Sequence, residues 1–315
     1  MKLNLDPQLL QVFGGVLALL ALSSLIGFIL KLSLKSPAKQ ATISNLNSRI
    51  AAWWVMCAIF GITLWVGPLG SLFLFGLLSF LALREYVTLI PTRRADHRAL
   101  FWSFFIFTPM QYYLIGIRWY GMFAILIPVY AFLFVPTRMA LAGDTQNFLE
   151  RASKVQWGLM ICVYCLSYAP ALLMLQINGY APDAKLLLYL VVVDQISDVL
   201  QYVWGKLAGR HKIAPVVSPN KTWEGFIGGV LSATLIGAAL YWMTPFSPRS
   251  AALISLSITL MGFFGGLTMS AIKRDRGIKD YGTLIHGHGG ILDRMDSLCF
   301  AAPIFFHFVR YFYSS

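Results

Sequence analysis

The stretch SAIKRDRGIKDYGTLIHGHGGILDRMDS, residues 270–297, puts five basic residues, four aspartates and two histidines into 28 positions of a chain that is only 12% charged. Lys273, Arg274, Lys279 and Arg294 can neutralise phosphate, with Asp280 among them, and Gly289 and Gly290 after His288 supply backbone that a ligand can approach closely. Asp293 and Asp296 are three apart, a spacing that turns both carboxylates to one side of a helical turn, where they could share a divalent ion. Carboxylates there also complement a helix dipole. The dipole does not call for glycines and a basic cluster directly upstream. Basic residues beside close-spaced carboxylates are what a nucleoside triphosphate with Mg2+ requires. The chain contains no G-x-x-x-x-G-K-[ST], so a P-loop is excluded as the source of nucleotide binding.

Two further clusters carry the same chemistry. In SPNKTWEG, residues 218–225, Ser218 and Pro219 make a turn into a helix whose first turn holds Thr222 and Glu224. This is start-of-helix grammar, and it also sets Lys221 at a helix N-terminus, where it can bind phosphate jointly with free N–H groups. In VVVDQISDVLQYVWGK, Asp194 and Asp198 are four apart and share a helix face inside an apolar run. Asp198, eight residues before Lys206, lies roughly 12 Å from the polar end of that run. Ionisable groups inside a membrane span mark function by default, so Asp198 is a candidate third metal carboxylate beside Asp293 and Asp296. Arg84, Glu85, Arg93, Arg94 and Arg98 read as interfacial residues that snorkel, and His97, His211 and His307 as surface or packing residues. Cys57, Cys162, Cys165 and Cys299 all fall in apolar runs, which argues for packing rather than disulfides or zinc.

These clusters must be positioned by a membrane. The chain has 315 residues, 58% of them hydrophobic, and a mean hydropathy of +0.69. Apolar runs recur from end to end, which predicts an all-α polytopic helix bundle of about ten spans. The spans fall near 9–30, 50–66, 69–83, 100–116, 120–136, 157–175, 186–205, 225–243, 251–270 and 298–313. The first reads as a retained span rather than a signal peptide. With ten spans, the connections 31–49, 84–99, 137–156, 206–224 and 271–297 share one side and hold 20 of the 25 Lys and Arg residues. That asymmetry predicts a cytoplasmic face carrying the motif loops, and it assigns the net charge of +12 to the membrane surface rather than to nucleic acid. Spans one to six, residues 1–185, form an N-terminal part. Residues 186–315 carry the motifs, in one integral unit with no separate soluble domain.

The run S270-A-I-K-R-x4-K-D-x-G-x4-G-H-G-G-I-L-D-R-M-D-S297 resembles the C-terminal signature of the phosphatidate cytidylyltransferase (CDP-diacylglycerol synthase) family. SPNKTWEG with Gly228 and Gly229, and SDVLQYVWGK, are similar to its other motifs. The resemblance implies transfer of a cytidylyl group from CTP to phosphatidic acid, giving CDP-diacylglycerol and diphosphate with Mg2+ and room for a second metal ion. It implies Asp293, Asp296 and Asp198 at the metal, and Ser218, Lys221, Lys273, Arg274, Lys279 and Arg294 on phosphates. Residues His288 to Gly290 would shape the triphosphate site. It also implies membrane lipids as surroundings and a homodimer by analogy. The compact chain without targeting signals points to a bacterial inner membrane as the expected location. Gly265-Gly266-Leu267 stands where the family usually carries Gly-Asp-Leu, so an expected metal carboxylate is missing at Gly266, and His286 replaces a usual Pro. Asp194 and Asp275 are the carboxylates that could stand in. Two other readings follow: a relative that binds CTP or anionic lipid without turnover, which Gly266 favours, and a transporter built on Asp194 and Asp198.

Overall fold

A computed structural model describes residues 6–33, 37–180, 184–284 and 289–314. Long apolar runs leave a backbone in lipid only one way to satisfy its own N–H and C=O groups, and the described residues accordingly form ten long helical rods. They are α1 (Pro7–Ser33), α2 (Pro37–Val66), α3 (Pro68–Leu89), α4 (97–116), α5 (Tyr120–Ala140), α6 (Phe148–Met174), α7 (Lys185–Leu207), α8 (Trp223–Met243), α9 (Pro248–Asp275) and, after a four-residue helix α10 (Leu292–Met295), α11 (Leu298–Tyr313). Eight are long and apolar enough to cross a membrane; α4 and α11 are the other two.

The rods match the ten expected spans, with two differences in the polar connections. The connection 31–49 is largely helix, because Pro37 fits a first helical turn and the following Ala, Gln and Asn residues extend α2 backwards. Residues 206–224 contain an antiparallel hairpin, β1 (Lys212–Ala214) with β2 (Ser218–Thr222), where a simple proline turn is expected from sequence. The tight link between α2 and α3 forms as predicted: Gly67 takes a φ of 99° that a side chain would resist, and Pro68 starts the next helix.

Wide π-type turns interrupt α4 at Ser103–Phe107, α5 at Leu126–Ala131 and α6 at Leu159–Cys165. Each lies within or just before a turn holding a proline, Pro109, Pro128 or Pro170, whose missing N–H and ring bulk disrupt the regular ladder. The core is centred on α6, with 72% of its apolar window buried, against 6% for α1, which faces outward. Buried residues run continuously across residue 185: Tyr168 of α6 packs edge-on against Phe306 of α11 at 5.1 Å.

Ion pairs and hydrogen bonds gather the polar connections onto one face. Arg151 bridges to Asp96 at 2.7 Å and donates to the Asp144 carbonyl, joining 137–156 to 84–99. Arg274 donates to the Val217 carbonyl, joining 271–297 to 206–224. On the opposite face Lys185 pairs with Asp6 at 2.7 Å, and Tyr180 donates to the Met243 carbonyl.

Candidate active site

The site is assembled where α7, α8 and α9 pack closely. Gly229 of α8 lies so near the Gln201 backbone of α7 that a Cβ there would come within 2.6 Å of its N and Cα atoms. Small residues let the two backbones approach, which brings the flank of α7 carrying Asp194 and Asp198 close to the β2 strand and to α9. Asp194 is buried, with its Oδ2 accepting from the Ser297 hydroxyl at 2.9 Å and its Oδ1 directed at Gly262 of α9. Asp198, one turn nearer the polar face, is exposed on the flank of the bundle.

Lys221 reaches in from β2, its Nζ lying 4.4 Å over the Phe263 ring. It interacts electrostatically with both Asp198 and Asp296. Burial pushes its ammonium below the ordinary lysine value, and the two carboxylates oppose that shift. Burial likewise pushes the Asp296 carboxyl up, against the pull of Lys273, Lys221 and Arg294. Gly266 is at the centre of this group. A Cβ on it would lie 3.2 Å from Lys221 Nζ and 4.0 Å from Asp296 Oδ2, so the missing side chain leaves room that the lysine head borders.

Asp293 and Asp296 do not converge as the three-residue spacing predicts. Asp293 Oδ1 accepts from Lys273 Nζ at 2.8 Å, and its Oδ2 accepts from the backbone N–H groups of Tyr281 and Gly290 at 2.7 and 2.9 Å. Both oxygens are engaged in folding the loop, and the Gly290 N–H is taken rather than offered to phosphate. Asp296 Oδ1 accepts from the Ser297 N–H, and Lys273, Lys221 and Arg294 act on its charge. Among the described residues no three acidic, histidine or cysteine side chains meet as a metal cage, but Asp198 and Asp296 with Lys221 between α7 and α10 do form a polar cluster. Two carboxylates suffice for Mg2+, which completes its shell with waters and phosphate oxygens. Asp293 was expected at the metal as well, and in this structure its two oxygens are bonded to Lys273 and to the Tyr281 and Gly290 N–H groups.

The remaining residues divide in the same way. Arg294 lies beside Asp296 and Asp198, and its Nε is buried with no acceptor among the described residues. Thr222 caps α8, its Oγ1 accepting from the Gly225 N–H. Glu224 accepts from the Arg210 N–H and the His211 ring, closing the hairpin, while Ser218 pairs with Ala214 in the sheet. Pro219, Lys279 and Asp280 are exposed on the polar face, and Arg274 bonds carbonyls of the hairpin and of Ile278. His286 and His288 lie outside the described residues. Glu85 of α3, read from sequence as an interfacial residue, accepts from the N–H groups of Ile291 and Leu292. Its only signal in the sequence is an acid at a helix end among arginines.

A cytidylyltransferase-family model matches residues 47–312, which includes every element of this cluster. The chain belongs to the cytidylyltransferase family. It is 42% identical over 297 residues to the protein YnbB of Escherichia coli (strain K12), itself uncharacterised, covering 93% of this chain and 96% of that one. It is 32% identical over 193 residues to a phosphatidate cytidylyltransferase of Staphylococcus aureus (strain COL), covering 58% of this chain and 74% of that one. Family membership and eight apolar rods make this a multi-pass membrane nucleotidyltransferase-family protein.

Proposed function

We propose that this protein is a phosphatidate cytidylyltransferase, converting CTP and phosphatidic acid to CDP-diacylglycerol and diphosphate, with the polar face in the cytoplasm. One observation carries the reading: Lys221 and Arg294 converge with Asp198 and Asp296, and the Arg294 Nε has no acceptor among the described residues. A buried donor without a partner costs about 1–3 kcal/mol, which a phosphate oxygen would relieve. An oxygen of the lipid phosphate attacks the α-phosphorus of CTP, the bond to the bridging oxygen breaks, and diphosphate leaves. The attacking phosphate is already anionic, so no strong base is needed. Lys221 and Arg294 bind and orient the phosphates and offset charge as it shifts to the leaving group. Asp198 and Asp296 would hold Mg2+, which supplies further charge compensation when bound.

A second reading, a relative that binds CTP or anionic lipid without turnover, is favoured by Gly266, where the lysine head borders the space of an absent carboxylate. One assay separates the two. Purified protein in mixed micelles with labelled CTP, phosphatidic acid and Mg2+ or Mn2+ should form CDP-lipid above a protein-free control. Saturable CTP binding without product across metal concentrations would establish the second reading instead.

A further inference from the structure

We propose that Glu85 is the positioning residue of the nucleotide loop, a carboxylate from the N-terminal helices that fixes residues 289–293 in place. The inference rests on the functional reading above. Glu85 Oε1 accepts from the Ile291 N–H at 3.0 Å and Oε2 from the Leu292 N–H at 2.9 Å. These amides open α10 and have no partner within that helix, so a charge-assisted pair from outside satisfies both. The cradle is built for the carboxylate. A Cβ at Gly290 would come within 2.3 Å of Oε2, and one at Gly282 within 2.7 Å of Oε1. Two glycines on opposite sides of the loop thus leave the space that Glu85 fills.

The clamp sits directly upstream of the reactive cluster. Asp293, which folds the loop onto Lys273, follows Leu292 immediately, and Arg294 and Asp296 come within four residues of it. Loosening the two amides frees Asp293 from Lys273 and shifts Arg294 and Asp296 in the cluster that holds Lys221. Glu85 contacts the loop backbone, and in this proposal it acts through Asp293, Arg294 and Asp296.

The test uses the full chain in mixed micelles, with Glu85→Gln and the milder Gly282→Ala, whose added methyl crowds the same carboxylate. Hydrogen exchange at 291–292 should quicken roughly tenfold or more in Glu85→Gln, the lower end of what a charge-assisted hydrogen bond contributes, while protection in α6 is unchanged. KM for CTP should rise while KM for phosphatidic acid stays within about twofold, a split that a general loss of stability does not produce. Gly282→Ala should move both readouts in the same direction and serves if Glu85→Gln does not fold. Unchanged exchange at 291–292, or quickened exchange with CTP and lipid parameters affected equally, overturns the proposal. Absence of CTP turnover by the wild type would defeat the functional reading; the exchange measurement decides the clamp either way.

Discussion

Asp293 and Asp296 occupy one short segment, yet they have separate work, and substitution should part them. Asp293→Asn removes the charge that holds Lys273, whose side chain is 12% exposed, and weakens two backbone bonds. Breaking a buried pair this way is worth about 3–5 kcal/mol, so thermal melting in detergent should show a marked drop. Asp296→Asn keeps an oxygen for the Ser297 N–H and should melt near the wild type, while turnover falls by about 100-fold or more for want of a metal carboxylate. Equal melting losses in the two variants would contradict this division. Lys221→Ala should likewise reduce turnover with little change in melting, since among the described residues its head makes a ring contact and electrostatic contacts but no hydrogen bond. Asp198, Lys221 and Asp296 were legible in the sequence because charged groups inside or beside apolar runs have few structural uses. Glu85 was not, since its partners lie more than 200 positions away and no local pattern encodes them. The partners of Asp293 were illegible for the same reason: spacing reports which side of a turn a carboxylate leaves from, not which distant donors meet it.

Helix and strand boundaries follow from short-range grammar where apolar periodicity dominates and escape it in the polar connections. All ten rods were legible, and so was the Thr222 cap of α8. The β1–β2 hairpin was not, because its strands of three and five residues contain a proline and little apolar alternation. Its closure depends on Glu224 reaching back to Arg210 and His211. The contact between α7 and α8 makes a stronger test of packing: Gly229→Leu must push the Gln201 backbone away, separating Asp198 from the hairpin, and should abolish turnover in protein that still inserts into membranes. Wild-type activity in that variant would show that the two helices need not touch. At the far face, the Lys185 hydrogen bond and then the Gln8 N–H hold the Asp6 carboxyl below its ordinary 3.8. A lowered carboxyl contributes stability above the ordinary value and loses it as pH falls through the folded one. Asp6→Asn should therefore loosen the start of α1 at pH 7, measured by hydrogen exchange, and differ little from wild type in melting once the pH has fallen through the lowered Asp6 value.

Across the whole molecule the basic connections gather on one polar face. Arg151, Glu85 and Arg274 tie four of the five basic connections together, so the positive asymmetry of the sequence and the fold agree on which loops are neighbours. A cysteine introduced at Thr283 should accordingly react with an impermeant reagent from the cytoplasmic side alone, and reaction from the other side would reverse the orientation proposed here. Asp198 adds something about how substrate is met. It is exposed on α7 roughly 12 Å inside the polar end, a depth from which, on the proposed function, phosphatidic acid would reach it out of the bilayer. A headgroup arriving by that route searches a plane, not a volume. The relevant concentration is then the mole fraction of phosphatidic acid in the surface: rate should follow that fraction and stay flat when carrier lipid and substrate are raised together, whereas CTP, arriving from solution, should saturate with its ordinary molarity.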